Sequence, residues 1–424
     1  MSAQDWVLLL LIVVLYCAFA GWLGRFSVTM PMVLVLAGAL TGPDVFGLID
    51  IPATAAGVER VAEVTLALLL FADAATLDLG RMRHHAGLTG RLLLIGLPLT
   101  VLLGAVLAFA LFPNEGLGFA LLIAAILAPS DAALAMPTSG STRVPVRIIR
   151  TLRIESGFND GIAAPLVALF VAFTIEEQQT RQDGWLFNAL SDIGLALVVG
   201  VVVGFVGGKL FSAAVVNRWT TPTAQRLGNL ALALGVYWAA VGVGANGIVA
   251  GFFGGLAFAS ATRSQMHTST EFTEEAATIL STLVWTVFGA SLVVPLIRAA
   301  DARAVIFAIL ALTLVRMVPV AISMIGTGLR PDTVLVMGFL GPRGLPSVIL
   351  MLIAYEALHE AEQHEANTLT TVVGWAITLS VLLHALTGDV LTRWYARRLE
   401  TAPSDAPELL PSPDLSAAQS SAHG

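Results

Sequence analysis

Residues 153–165 read Arg-Ile-Glu-Ser-Gly-Phe-Asn-Asp-Gly-Ile-Ala-Ala-Pro and place two acidic side chains inside an apolar stretch at 152–174. An apolar stretch of about 20 residues can cross a bilayer core about 30 Å thick. A charged side chain in such a stretch costs free energy, so it usually faces a cavity and serves a function. The segment therefore predicts a membrane helix that carries a polar site.

The composition of the whole chain favours a membrane protein. Of 424 residues, 57% are hydrophobic and 12% are charged, and the mean hydropathy is +0.85. A soluble domain has about 25% charged residues, which excludes a soluble enzyme. The net charge of −7 argues against nucleic acid as a partner, and the single cysteine, Cys17, cannot form an intramolecular disulfide. Because the sequence has neither a structural-metal cluster nor a nucleotide-binding loop, we expect no cofactor and no ATP-driven transport.

Thirteen apolar stretches have the length of a membrane helix, and the sequence therefore predicts an all-α polytopic membrane protein. The division between the eighth and ninth stretches rests on residues 245–247 alone, which leaves twelve spans as the alternative. The first stretch is a full span preceded by Asp5, so we expect no cleavable signal peptide. The predicted spans are 6–23, 28–48, 61–77, 92–112, 117–138, 152–174, 188–214, 228–245, 247–262, 276–297, 304–326, 332–354 and 368–392.

The basic residues are distributed unevenly between the two sides of this topology. Of the 22 lysine and arginine residues, sixteen lie on one side, and two, Arg316 and Arg343, lie inside apolar stretches. Cytoplasmic loops carry the excess of basic residues, so we predict an external N-terminus and a cytoplasmic C-terminus in the cell membrane. The few basic residues on the external side are Arg60, Arg181, Arg298 and Arg303.

The span count suggests an internal repeat. If spans 1–6 and 8–13 are two six-helix units, the single helix between them makes the second unit enter the membrane from the opposite side. Inverted repeats of this kind are typical of secondary transporters. The membrane domain then covers residues 1–399, and the polar, Pro/Ser-rich tail at 400–424 is predicted to be disordered.

Two predicted spans at corresponding places in the two units contain helix-breaking residues. In span 5, Pro129 precedes Ser130 and Asp131, and in span 12 the segment 338–346 reads Gly-Phe-Leu-Gly-Pro-Arg-Gly-Leu-Pro. A proline removes one backbone donor and interrupts the helix. Paired interruptions are the sequence feature that best indicates a transport site, although a packing kink is the alternative at each place.

The polar residues of span 6 can face the interruption in span 5. Ser156 and Asp160 are four residues apart on one helical face, and Asn159 lies three residues after Ser156. Together with Ser130, Asp131 and backbone carbonyls, they offer only oxygen ligands. Such a set suits a monovalent cation, so we predict a site for Na⁺, K⁺ or Li⁺ at the residues Asp160, Asp131, Ser130 and Ser156.

These motifs resemble those of a known transporter family. Glu-Ser-x-x-Asn-Asp-Gly at 155–161, Ser130-Asp131 in a helix break, and Gly-x-Arg-Gly at 341–344 are similar to the monovalent cation:proton antiporters, in the sodium/proton exchanger branch with an Asn-Asp pair (NhaP-type and NHE-type). The resemblance implies an NhaA-like antiporter fold and a homodimer. It also implies a core bundle, about 92–174 and 304–392, that moves against a dimerising scaffold bundle, about 6–77 and 188–297.

The resemblance also implies a role for each matching residue. Asp160 would be the carboxylate that binds either the ion or the proton, and Asn159 would orient the break in span 5. Glu155 and Arg343 would form a buried ion pair. The remaining implied ion ligands, or supports of ligands, are Asp131, Ser130 and Ser156.

Two further charged residues lie inside the predicted spans. Asp73 in span 3 lies one place later than the glutamate that many members carry, so we predict an accessory carboxylate on the ion path or, alternatively, a polar group facing a crevice. Arg316 in span 11 would support the site by neutralising an acid, with a lipid-headgroup contact as the alternative.

A single carboxylate can couple the two fluxes. A proton and a cation compete for Asp160 because either one neutralises a charge that burial disfavours. One acidic group beside an asparagine predicts electroneutral one-for-one exchange in a transporter that is not an enzyme. The sequence leaves open whether Na⁺, Li⁺ or K⁺ is carried. A sodium-coupled organic-anion symporter and a passive cation channel are the alternatives from other classes.

Overall fold

The computed structural model describes residues 3–26, 28–51, 56–77, 87–131, 144–178, 184–262, 267–299, 301–361, 364–403 and 406–409. Within these ranges every regular element is a helix, which confirms the predicted all-α class. The α-helices are α1 Ala3–Leu23, α2 Met30–Thr41, α3 Ala56–Thr76, α4 Leu97–Leu111, α5 Gly116–Ile126, α6 Val146–Gln178, α7 Trp185–Val216, α8 Pro222–Gly242, α9 Gly247–Thr262, α10 His267–Phe288, α11 Val294–Ala299, α12 Ala302–Leu312, α13 Leu314–Ser323, α14 Pro331–Phe339, α15 Leu345–Glu360 and α16 Glu365–Leu399.

Each predicted span contains one helix or two consecutive helices. α4 continues a π-helical turn at Leu92–Gly96, and α10 reaches α11 through a second π-helical turn at Gly289–Val293. α8 ends at Gly242 and α9 begins at Gly247, so the predicted division between the eighth and ninth spans is confirmed. Gly244 makes this turn possible because its φ of 76° is favourable only for glycine.

Seven helical segments among the described residues are long and apolar enough to cross a membrane on their own. Large apolar side chains on the outer faces of α1 and α7, among them Leu11, Val14, Val198 and Val202, are exposed. A surface of this kind is unfavourable in water and is covered by lipid chains in a membrane. The chain is therefore a multi-pass membrane protein. The seven segments are Gln4–Phe26, Gly87–Leu111, Val146–Glu177, Trp185–Val216, Thr270–Ala299, Ala302–Ser323 and Glu365–Leu399.

Small residues let α3, α7 and α9 pack closely. A Cβ atom on Gly204 of α7 would overlap the backbone of Gly254 in α9, and a Cβ atom on Gly255 would overlap Phe71 of α3. Small residues allow such close approach between membrane helices. The three helices thus form a closely packed group that contacts α6.

The two predicted helix interruptions are present and contact each other. α5 ends at Ile126, before residues 127–131, and α14 and α15 are separated by residues 340–344. The Asp131 N–H donates to the Pro342 carbonyl over 2.8 Å, and Ser347 Oγ donates to the Ile126 carbonyl over 2.8 Å. The breaks therefore satisfy some of each other's free backbone groups, as interrupted helices in membrane proteins require. The rest of predicted span 5, from residue 132, lies outside the described residues.

The short C-terminal segment at 406–409 packs against the membrane domain. Glu408 is buried and accepts a hydrogen bond from Thr333 Oγ1 over 3.0 Å, and Arg147 donates to the Pro407 carbonyl. The predicted disorder of the tail therefore does not hold for this segment. Residues 404–405 and 410–424 lie outside the described part of the chain.

Candidate functional site

Asp160 lies near the middle of α6 and is 7% exposed. Its Oδ1 atom has no hydrogen-bond partner among the described residues. Pro165 lies inside the same helix and, lacking an N–H, leaves the carbonyl of Gly161 without its usual helical donor. A buried carboxylate oxygen and a freed carbonyl are both groups that a cation can satisfy.

A cavity of about 780 Å³ leads to Asp160. Its lining begins at exposed side chains, among them Arg153 in the first third of α6, Glu274 in the first half of α10 and Thr278 at the middle of α10, and reaches the buried Asp160. The side chains of Asp73 and Asp131 line the same cavity. The cavity therefore connects one end of the molecule with the polar centre of the helix bundle.

The cavity lies between parts of the two predicted bundles. Leu66 and Asp73 of α3 and Trp285 of α10 contribute to its lining, as do Ser156 and Asp160 of α6. The predicted accessory residue Asp73 is thus in the cavity, and its Cβ atom would lie 3.7 Å from a Cβ atom on Gly157 of α6. Glu274, which the sequence analysis missed because it precedes span 10, lies at the exposed end.

Next to Asp160, an aromatic ring of α9 packs directly against α6. Phe252 of α9 packs against Gly161, where any Cβ atom would overlap the ring, and its ring meets that of Phe158 edge to face with centroids 6.1 Å apart. Apolar rings packed on the helix exclude water from that side. The described residues thus give Asp160 an open approach through the cavity and an apolar contact next to it.

The predicted serines are joined across the interruption. Ser156 Oγ donates to the Ser130 carbonyl over 2.5 Å, and Ser156 also lines the cavity. Asp131 is half-buried and lies so close to Gly344 that a Cβ atom there would overlap its carboxylate. The structure thus brings four predicted residues, Asp160, Asp131, Ser130 and Ser156, into one region.

Asn159 belongs to a buried polar network. Its Nδ2 donates to Glu155 Oε1 over 3.1 Å, and its Oδ1 has no partner in the described ranges. Arg316 binds Glu155 with both terminal nitrogens, at 2.6 and 2.9 Å. All three side chains are at most 3% exposed. A bidentate pair of this kind fixes the geometry as well as the charge of Glu155.

The resemblance implied an ion pair between Glu155 and Arg343. In the structure Glu155 pairs with Arg316 instead, so the implied partner was wrong. α13 places Arg316 against Glu155, whereas the break between α14 and α15 directs Arg343 towards the break after α5. There Arg343 Nη1 donates to the carbonyls of Pro129 and Ala128, at 2.9 and 3.3 Å. Its backbone N–H donates to Ser380 Oγ over 2.7 Å. Arg343 thus supplies donors to carbonyls that the interrupted helix leaves unpaired.

His384 of α16 was missed by the sequence analysis. Its ring nitrogens lie 2.9 Å from the Ser380 carbonyl and 2.8 Å from the Phe339 carbonyl at the end of α14. It therefore contacts the backbone at the edge of the second interruption. A lone histidine inside the apolar stretch 368–392 was the signal that could have indicated it.

The charges around the cavity are mostly negative. Asp131, Asp73 and Glu155 each repel a negative charge on Asp160, and among the described lining residues only the exposed Arg153 is basic. Repulsion between carboxylates in a low-dielectric site weakens when a cation or a proton binds. The arrangement can therefore hold a small cation or a proton, and either one relieves the same repulsion.

Paired interrupted helices beside buried carboxylates define a class, the helical secondary transporters. The family is shown by a family-model match: the description "Sodium/hydrogen exchanger, transmembrane" matches residues 8–394. The chain belongs to this family, and the resemblance drawn from the motifs is confirmed.

Two named relatives have similar sequences. The Na⁺/H⁺ antiporter ApNhaP of Aphanothece halophytica is 25% identical over 286 residues, which cover 66% of this chain and 53% of that protein. The chain thus spans about half the length of that relative. A Na⁺/H⁺ antiporter of Schizosaccharomyces pombe is 25% identical over 375 residues, which cover 79% of this chain and 77% of that protein.

A solved structure has the same fold. The sodium proton antiporter MjNhaP1 of Methanocaldococcus jannaschii, at pH 8, superposes with a TM-score of 0.71 at 21% identity. The superposition covers 89% of this chain and 97% of MjNhaP1. At this identity the similarity establishes the fold.

Proposed function

We propose that this protein is a secondary antiporter that exchanges a monovalent cation, Na⁺ with Li⁺ or K⁺ as alternatives, for H⁺. One observation carries the proposal: the buried carboxylate of Asp160, with an oxygen that lacks a hydrogen-bond donor in the described residues, lies in a cavity shared with Asp73 and Asp131. The family membership and the names of the relatives support the same activity.

Competition for Asp160 couples the two fluxes. Burial disfavours a bare carboxylate, and either a proton or a cation neutralises it. Asp131 and Ser156 lie in the same cavity and supply further oxygens to a dehydrated cation, and Ser130 supports Ser156 through its carbonyl. If the protein changes between its two conformations easily only when this site is neutralised, each change transports either one proton or one cation. No ATP is required.

We propose electroneutral one-for-one exchange. Asn159, next to Asp160, adds no charge, and Glu155 is already paired with Arg316. One carboxylate that alternates between one proton and one monovalent cation moves the same charge in both directions. Asp131 and Asp73 would then keep the same protonation state throughout the cycle.

Alternating access requires the core bundle to move against the scaffold bundle. The position of the cavity between α3 and α10 on one side and α6 on the other supports a boundary at that place. With the N-terminus outside, the starts of α6 and α10 are cytoplasmic, so this conformation faces the cytoplasm. We further propose a homodimer in the cell membrane, as the family resemblance implies.

The two alternatives from other classes fit the geometry less well. An organic-anion symporter needs basic side chains in the site, but Arg316 binds Glu155, and neither Arg316 nor Arg343 is among the residues that line the cavity. A passive channel needs a continuous pore, whereas Phe252 packs directly on Gly161 beside Asp160. Flux that is independent of a pH gradient would favour the channel.

The test is exchange in proteoliposomes. A gradient of Na⁺, Li⁺ or K⁺ should drive proton movement by the wild type, and Asp160→Asn should abolish it because the amide cannot bind a proton and a cation in turn. Asp192→Asn is the matched control, since Asp192 is an exposed acid on α7 outside the cavity. Robust exchange by Asp160→Asn would reject the mechanism. Dependence of the exchange equilibrium on a clamped membrane potential would reject electroneutrality alone.

A further inference from the structure

A second cluster of ionisable residues lies at the end of the molecule opposite the mouth of the cavity. Glu115 ends the 3₁₀ turn before α5, and His364 and Glu365 begin α16. We propose that Glu115, His364 and Glu365 form a zinc-binding site, distinct from the transport site at Asp160.

The three side chains converge on one point. One ligand atom of each lies within 4.8 Å of the ligand atoms of the other two. His364 Nε2 is 3.5 Å from Glu115 Oε2, and His364 Nδ1 is 3.3 Å from Glu365 Oε2. Ligands of a tetrahedral Zn²⁺ with bonds of about 2.0–2.2 Å are separated by about 3.3–3.6 Å. Because a histidine gives one zinc ion only one of its ring nitrogens, the exposed His364 has to turn so that this single nitrogen approaches both carboxylates.

The carboxylates need a cation at this point. Glu365 is fully buried, and neither of its oxygens has a hydrogen-bond partner within the described chain. Glu115 Oε2 likewise has none in those ranges. Buried carboxylates without donors are costly unless a cation binds them, and a divalent ion between the two residues would satisfy these oxygens at once.

The ligand types and the access favour zinc. An imidazole with two carboxylates suits Zn²⁺, whereas Mg²⁺ and Ca²⁺ prefer oxygen ligands alone. Thr368 Oγ1 donates to Glu115 Oε1 over 3.1 Å, which orients this carboxylate as outer-shell groups orient metal ligands. The side chain of His364 is 67% exposed, so the ion has a path from solvent.

The site would join the turn before α5 to the start of α16. Both elements belong to the proposed core bundle, so a bound ion would brace that bundle without tying it to the scaffold. Zinc should therefore raise the thermal stability of the protein and should leave Asp160-dependent exchange in place.

The test is titration of ZnCl₂ into the purified full-length protein, with no affinity tag, after chelator treatment. We expect one Zn²⁺ per chain and a rise in the unfolding temperature on zinc addition. His364→Ala and Glu365→Gln should each weaken the affinity at least tenfold, because each removes a ligand. His364→Ala keeps the readout valid if the buried Glu365→Gln variant fails to fold.

Two controls separate this site from other zinc ligands. His359→Ala removes an exposed histidine at the end of α15 and should bind zinc as the wild type does. Cys17→Ser removes the exposed thiol and should also leave binding unchanged. Zinc binding that is absent from the wild type, or that is equally strong in His364→Ala, would overturn the proposal. Equal affinity for Ca²⁺ or Mg²⁺ would also overturn it.

Discussion

At the scale of single residues, the partner of Glu155 decides how the polar centre is built. Arg316 and Arg343 both stand in apolar stretches, and both are buried. Their positions in the sequence cannot reveal which of them meets Glu155, because this depends on how two interrupted helices cross. Arg316 forms the ion pair with Glu155, and Glu155 in turn accepts a hydrogen bond from the amide of Asn159, the residue next to Asp160.

Removing Arg316 should leave Glu155 as an uncompensated buried charge. We expect Arg316→Met to lower the free energy of unfolding by about 3–5 kcal/mol, as for other broken buried pairs. The double variant Glu155→Gln, Arg316→Met should recover much of this loss because no lone charge remains. Thermal unfolding of purified protein in detergent measures both effects.

Arg298→Met is the matched control for this prediction. Arg298 also pairs with an acid, Asp44, but its side chain is 62% exposed, so its removal should cost about 0–1 kcal/mol. Equal stability losses for Arg316→Met and Arg298→Met would contradict the assignment of a buried pair.

Among individual residues, polar side chains inside apolar stretches were the feature of the sequence that indicated a site. The motif and the helical spacing singled out Asp160, Asp131, Ser130 and Ser156, and the fold brings these residues into one region. Glu274 and His384 were missed for different reasons. Glu274 lies just outside its apolar span, and a histidine that contacts only backbone carbonyls has no sequence partner to reveal it.

At the scale of helices, two features shape the fold: close packing between helices and interruptions within them. Glycines allow α7 to pack against α9. Prolines and glycines interrupt the helical backbone after α5 and between α14 and α15. The breaks were readable because Pro129, Pro342 and Pro346 cannot donate backbone hydrogen bonds. The contact between the breaks was not readable, since it joins residues that are far apart in the chain.

The close contact between α7 and α9 yields a stability prediction. Gly204→Leu should lower the free energy of unfolding by at least about 1–3 kcal/mol, because even its Cβ atom would overlap Gly254. The measurement is the thermal unfolding midpoint in detergent. Gly194→Leu on the same helix should have little effect, since nothing lies within 4 Å of a Cβ atom there. Two equal shifts would show that α7 does not pack through Gly204.

At the scale of the whole molecule, the direction in which the cavity opens follows from the topology. The exposed lining residues Arg153 and Glu274 lie in the first halves of α6 and α10. The bias of basic residues predicts that these helix starts face the cytoplasm. The proposed zinc-binding residues Glu115, His364 and Glu365 lie at the other end, which the same prediction puts outside the cell.

Thiol labelling tests this orientation. In a Cys17→Ser background, Thr278→Cys should react with a membrane-impermeant maleimide in everted vesicles and should be protected in right-side-out vesicles. His359→Cys, at the exposed end of α15, should show the opposite pattern. The reverse result for both cysteines would place the N-terminus in the cytoplasm and the cavity mouth outside.

The central claim, that one carboxylate binds either a proton or a cation, has a direct measurement. NaCl is added to purified protein in weakly buffered detergent solution, and proton release is followed with a pH dye while bound sodium is determined. Competition predicts about one proton released per sodium ion bound, no release by Asp160→Asn, and normal release by Asp192→Asn. Sodium binding to the wild type without proton release, or unchanged release by Asp160→Asn, would contradict the account.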